Sequence, residues 1–181
     1  VIYTGGDAPI DITWAGPVNG SASNISSPYT ISSLTAGSYV VTVTSANGST
    51  STANVTVQFL PVTNISDGPD TYYATIQAAI NAADPNEVLE LCAYTYTESI
   101  NINKALTING PNVGVAGTGT RAPEAVLLNC NIDINHAGNT TLDGLHIKRT
   151  DGATGPTNQL DLDGGGINTV QNCIFERNGS N

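Results

Sequence analysis

Two hydrophobic periods divide the chain. Up to about residue 58, apolar positions recur every second residue in short runs, "DITWAG", "YTISSL", "GSYVVTVTSANG" and "STANVTVQF", separated by Gly, Asn and Ser. Val41, Val43, Val55 and Val57 keep that alternation, which marks strands with one buried face. "SANGST" lies between two runs and carries Asn47-Gly48, the strongest short hairpin signal. Residues 1–60 therefore predict a piece of antiparallel β-sandwich. Trp14 is expected to anchor its core, the other role for it being an exposed platform that stacks a sugar. Residues 61–70, "PVTNISDGPD", are dense in turn formers and read as a linker.

From residue 71 the period changes. Tyr73, Ile76, Ala79, Ile80 and Ala83 share one face of a helix expected over 71–83. Asp70 or Thr71 is the expected N-cap, and Asp84-Pro85 the stop. Short alternating runs follow: "EVLEL", "SININ", "ALTING", "AVLLNC", "NIDIN", "TLDGLHIKR", "QLDLD" and "NCIFER". Ile132 to Leu160 is 28 residues, and Leu145 to Cys173 is also 28. Two strands recurring at one offset point to a coil that repeats as a unit. Leu106 and Ile108 are expected in the place of Leu145 and Ile147 one coil earlier, with "GPNVGVAGTGTRAP" as a looped insertion. Coils of this size predict a parallel β-helix. The open end of such a stack exposes unpaired backbone and apolar core. A helix placed just before the first coil covers that end. The fold class is thus all-β, a partial sandwich followed by a capped β-helix over 71–181.

Charge narrows the functions. The 181 residues include 15 acidic and 5 basic side chains, for a net charge of -10. That balance excludes binding to nucleic acid, which needs basic patches. No apolar run reaches the length of a membrane span, so membrane insertion is not expected. Abundant Ser, Thr, Asn and Gly suit an extracellular or cell-surface β protein. Residue 1 already sits in a strand-like pattern, so a fragment of a longer chain is expected. Cys92, Cys130 and Cys173 lie in apolar runs and read as buried, reduced thiols. No CxxC occurs, and His136 and His146 share no ligand spacing with a Cys, which argues against zinc. N-x-S/T sequons at Asn19, Asn24, Asn47, Asn54, Asn64, Asn139 and Asn178 offer glycosylation acceptors, in a chain so Asn-rich that several of them arise by chance.

Two resemblances sharpen the picture. "ISSLTAGSYVVTVTSANGSTSTANVTV", with Leu34, Ala36-Gly37, Tyr39 and Asn47-Gly48, resembles the SprB-type, PKD/Ig-like repeat of bacterial surface adhesins. Ser45 and Ser49 depart from it, and the first strand or two is missing. "TIQAAINAA…EVLELCAYTYTESININKALTINGPN" resembles the first coils of pectate-lyase-like right-handed β-helix proteins, with Asn86-Glu87 in place of Gly-Asp. The first resemblance implies a spacer or adhesive module. The second implies a fold that hosts lyases and hydrolases as well as non-catalytic adhesins.

Polysaccharide-cleaving members of that fold need a charged cleft. The charged candidates are Asp133, Asp143, Asp161, Asp163, Lys148, Arg149, Glu176 and Arg177, and none makes a catalytic set in the sequence. Lys148 is expected to stack on Glu176 as a solvated ion pair. If Ile100, Ile132 and Leu160 point inward on successive coils, their neighbours point outward. Asn101, Asp133 and Asp161 then form one column, and Asn103, Asn135 and Asp163 the next. This face is the expected contact surface for glycans or other surface-protein modules, with Asp133 and Asp161 as candidate Ca²⁺ ligands. The reading is a bacterial surface adhesin or structural module. The alternative is the first part of a secreted polysaccharide lyase or glycoside hydrolase.

Overall fold

The computed structural model describes residues 1–66, 68–150 and 160–177. The protein is all-β: seventeen strands and one seven-residue helix are found among the described residues. It divides into two compact units, Val1–Phe59 and Leu60–Asn181.

The first unit holds one antiparallel sheet. Its strands are β1 (Ile10–Ala15), β2 (Gly20–Ala22), β3 (Gly37–Ser45) and β4 (Thr50–Val57), in the order β2-β1-β3-β4. The expected hairpin joins β3 to β4. Gly48 takes φ +82, and the Asn47 side chain accepts from the Ser49 N–H at 2.9 Å. Ile10, Ile12, Tyr39 and Val41 form the buried apolar set. Trp14 continues their face of β1 but is only half-buried, its ring wedged on Gly20 where a Cβ would lie 2.2 Å away. No second sheet is found among the described residues of this unit.

The second unit opens with β5 (Val62–Asn64), β6 (Thr71–Tyr73) and α1 (Ile76–Ala82). Part of the segment read as a linker is therefore a strand. Val62 is fully buried, and β5 lies antiparallel between β6 and β7 (Glu87–Leu91). Turn formers flank that one apolar residue, and the tertiary site decides its state. The helix also begins later than its period suggests. Residues 71–73 pair with β5, and Tyr73 packs on the core from a strand. Thr75, rather than Asp70 or Thr71, is the N-cap, its hydroxyl accepting from the Ala78 N–H at 3.1 Å. Ile76, Ala79, Ile80 and Ala83 are all buried, as their spacing requires.

Ten strands follow: β8 (Tyr94–Tyr96), β9 (Ile100–Ile102), β10 (Leu106–Asn109), β11 (Ala125–Leu128), β12 (Ile132–Ile134), β13 (Thr140–Asp143), β14 (His146–Arg149), β15 (Leu160–Leu162), β16 (Asn168–Gln171) and β17 (Ile174–Arg177). They sort into three sheets with parallel neighbours. β7, β10, β13 and β16 share one, β8, β11, β14 and β17 the second, and β9, β12 and β15 the third. The chain visits the three in the same order each time. The 28-residue offset holds in all three, with Ile132 opposite Leu160, Thr140 opposite Asn168, and His146 opposite Ile174.

Two details differ from the sequence reading. "TLDGLHIKR" is two strands in two sheets, because Gly144 turns the chain at φ +71. "ALTING" consequently pairs with β13, and it is β11 that precedes β14. A Cβ on Gly144 would lie 2.3 Å from the Asn112 carbonyl carbon, so the corner admits no side chain.

Among the described residues, twenty buried ones from Val62 to Ile147 make one continuous core against the three sheets. The helix lies over its first circuit, fixed by polar side chains. The Glu98 carboxylate accepts from the N–H groups of Ile76 (2.7 Å) and Gln77 (3.0 Å). Lys104 Nζ donates to the Ala83 carbonyl at 2.7 Å. A negative group thus meets the helix start and a positive one its end, as the helix dipole favours. The Gln77 amide behaves like a strand segment. It accepts from Asn101 N–H at 2.7 Å and donates to Asn101 C=O at 3.2 Å. β9 is an edge strand, and Gln77 satisfies backbone groups there that no strand reaches.

Candidate functional site

The third sheet positions the polar columns. Ile100, Ile102, Ile132 and Ile134 are buried, so alternation turns the residues between them outward. Asn101, Asp133 and Asp161 are register partners across β9, β12 and β15. Asp133 Oδ2 accepts from Asn101 Nδ2 at 3.3 Å and from Asn135 Nδ2 at 3.4 Å. Two amides therefore face the carboxylate that also has Asp161 as neighbour, which offsets part of the like-charge cost. Asn103, Asn135 and Asp163 each follow the last residue of their strand and are exposed. Together the six side chains form a flat array of short amides and carboxylates.

The candidate Ca²⁺ ligands Asp133 and Asp161 are neighbours in this array. Ca²⁺ takes about six to eight oxygens, whereas Asp133 and Asp161 supply two carboxylates, one of which already accepts from two amides. Among the described residues no three His, Cys, Asp or Glu side chains converge as metal ligands.

The second sheet carries a different cluster. Lys148 is opposite Glu176, as expected from the 28-residue offset, with Nζ 2.9 Å from Oε1. His146 joins them, its Nε2 3.0 Å from Glu176 Oε2. Lys148 first, then His146, hold the Glu176 carboxyl below the usual range. His146 stands outside the charged candidates of the sequence. The signal was present, because His146 and Lys148 are two residues apart and so share one side of β14. Arg149 and Arg177 are also register partners, and Arg149 is buried.

Asp143, another charged candidate, is not exposed for contact. It is buried and accepts from Gln171 Nε2 (2.7 Å), Asn172 Nδ2 (2.8 Å) and Gly114 N–H (3.3 Å). Burial pushes its carboxyl up, but the Asn172 and Gln171 amides, Gly114 and Arg121 outweigh this and leave it below the usual value. Arg121 donates to the carbonyls of Val115 (2.6 Å) and Asn172 (2.7 Å) and forks onto Glu124 at 2.6 and 3.0 Å. This network ties the 110–124 insertion to the last circuit. The role is structural, and the Gly-rich "GVAGTGT" is the tied loop.

The thiols divide. Cys130 is buried, its sulfur 3.3 Å from the Tyr96 carbonyl, and burial pushes its thiol up to about 11. Cys173 is half-buried against the core. Cys92, expected inside, is exposed. Leu89 and Leu91 point inward, so period two turns Cys92 out with Glu90. No disulfide forms among the three. The sequon at Asn178 lies outside the described residues.

No protein-family model, no curated protein and no solved structure matches this chain.

Proposed function

We propose that the three sheets are the capped start of a right-handed parallel β-helix, that residues 1–59 are an Ig-like module, and that the chain is an adhesive or structural piece of a secreted bacterial surface protein. In this reading the Asn101–Asp133–Asp161 face contacts glycans. The observation that carries it is the register itself, which sets the exposed Asn101 amide and the half-buried Asp133 and Asp161 carboxylates at the strand spacing of ~4.8 Å. Such groups offer donors and acceptors to sugar hydroxyls without ordering long side chains. The test is a glycan array followed by NMR titration of the best binder. Exchanging Asp133, Asp161 and Asp163 together for Asn should abolish a detected affinity while leaving the fold intact. Binding that survives the triple change places the contact elsewhere.

A second reading, the first part of a polysaccharide lyase or hydrolase, draws on the His146–Glu176–Lys148 cluster, since it joins an imidazole and an amine to one carboxylate. Turnover of polygalacturonate by this chain, lost in Glu176→Gln, would favour it over the adhesive reading.

A further inference from the structure

Strand edges in this protein are managed unequally. In the second unit β9 is covered by the Gln77 amide, and β7 is covered by the β5–β6 hairpin. In the first unit one edge, β2, is only three residues long. The other edge, β4, is eight residues long and, among the described residues, pairs on one side only. It carries none of the devices that blunt an edge: no Lys, no Pro and no charge of either sign occurs in "TSTANVTV".

The side chains of β4 alternate cleanly. Its register on β3 sets Val55 opposite Tyr39 and Ala53 opposite Val41, both of which are buried. Ser51, Ala53, Val55 and Val57 therefore share the apolar face, and Thr50, Thr52, Asn54 and Thr56 the polar one. Yet Val55 remains 44% exposed. Hollows of about 440 Å³ and 330 Å³ lie along the same face, reaching Ala53 and Val55 respectively.

We propose that β4 is a self-association edge, where the β4 strand of a second copy adds antiparallel about a two-fold axis normal to the sheet. A two-fold contact brings the same patch together from both copies, and this patch is self-compatible. The first unit's only charged side chains are Asp7 and Asp11, neither on β4, so no like charges meet. A register that sets Ala53 opposite the second copy's Val55 keeps apolar side chains on one face and threonines on the other. The added strand then lays its alanine and valines beside the hollows. Backbone pairing of this kind gives affinity, and the alternate side chains give register. The contact rests on one eight-residue strand, and the dimer is expected to be weak and concentration-dependent.

Sedimentation equilibrium of the full chain over a wide concentration range tests this. Dimer should accumulate with concentration, and β4 amides should gain hydrogen-exchange protection in parallel. Thr52→Lys with Thr56→Lys, on the exposed polar side, should return the protein to monomer with an unchanged melting profile. The corresponding double Glu variant should behave likewise, and an equal mixture of the two should restore the dimer. A protein that stays monomeric at every concentration overturns the proposal. So does a dimer that persists in the double Lys variant, or β4 edges that capture only an unrelated extended peptide.

Discussion

Asp143 is where burial and charge are most tightly balanced. Replacing it with Ala leaves Gln171, Asn172 and Gly114 without their acceptor. The expected loss is about 1.5–3 kcal/mol, the range for hydrogen bonds to a charged group, read from denaturant midpoints. Its carboxyl lies below the ordinary Asp value of ~3.9, and Glu124 is lowered by its Arg121 fork. A carboxyl that is lowered on folding stabilises the folded state above its unfolded value. That contribution disappears as pH falls through the folded one. Stability should therefore drop below about pH 4, and less steeply in Asp143→Ala; an identical acid slope in the variant would contradict the network. The thiols give a second check. Native labelling should modify Cys92 quickly and spare Cys130, which is buried and has its thiol raised. Cys92 has an apolar neighbourhood, but strict alternation from the buried Leu89 and Leu91 turns it outward. Asp143 was legible as a charge, but its burial depends on a loop 29 residues away in sequence, which no local pattern reveals.

At the scale of elements, the helix decides most. Ile76 and Ile80 are fully buried over the first circuit, and burying such side chains contributes about 1.5–3 kcal/mol each. Ile76→Asp should unfold or aggregate the second unit, whereas a soluble variant with unchanged melting would count against the cap. Gln77→Ala is milder. It frees the β9 backbone at Asn101 without touching the core, so exchange at Asn101 should accelerate while global stability falls only slightly. The helix was legible from its 3.6 period and its Asp-Pro stop. Its start was not, since Tyr73 fits the helical face equally well as a strand residue packed on the same core. The split at Gly144 is hidden for a related reason: two strands joined by Gly144 and Leu145 look like a single run until the left-handed glycine is read as a corner. The β5 strand was hidden because turn formers surround Val62, and its partner β7 lies more than twenty residues on.

At the scale of the molecule, the repeat was visible only where the circuits are regular. Between the last two circuits all three sheets share one offset, but Ile100 to Ile132 is 32 residues and Val126 to His146 only 20. The 110–124 insertion lengthens one leg of a circuit and leaves the next short, so a fixed-period search finds the end of the stack before its beginning. The two units differ in how much they bury. Among the described residues, twenty form the continuous core of the second, whereas the buried apolar residues of the first are Ile10, Ile12, Tyr39 and Val41. A unit of 59 residues is marginal on size alone, because small domains bury a smaller fraction of their surface. Its sheet also leaves Val55 exposed beside open hollows. Unfolding of the intact chain should therefore proceed in two steps, the first unit melting before the second. The only Trp, Trp14, lies in the first unit and reports it, while far-UV signal follows both. Trp fluorescence should change at lower denaturant than the main loss of β signal. Ile12→Ala should move the fluorescence step alone, by roughly 2–5 kcal/mol for a deleted buried isoleucine. Coincident transitions that shift together in this variant would mean that the two units unfold as one.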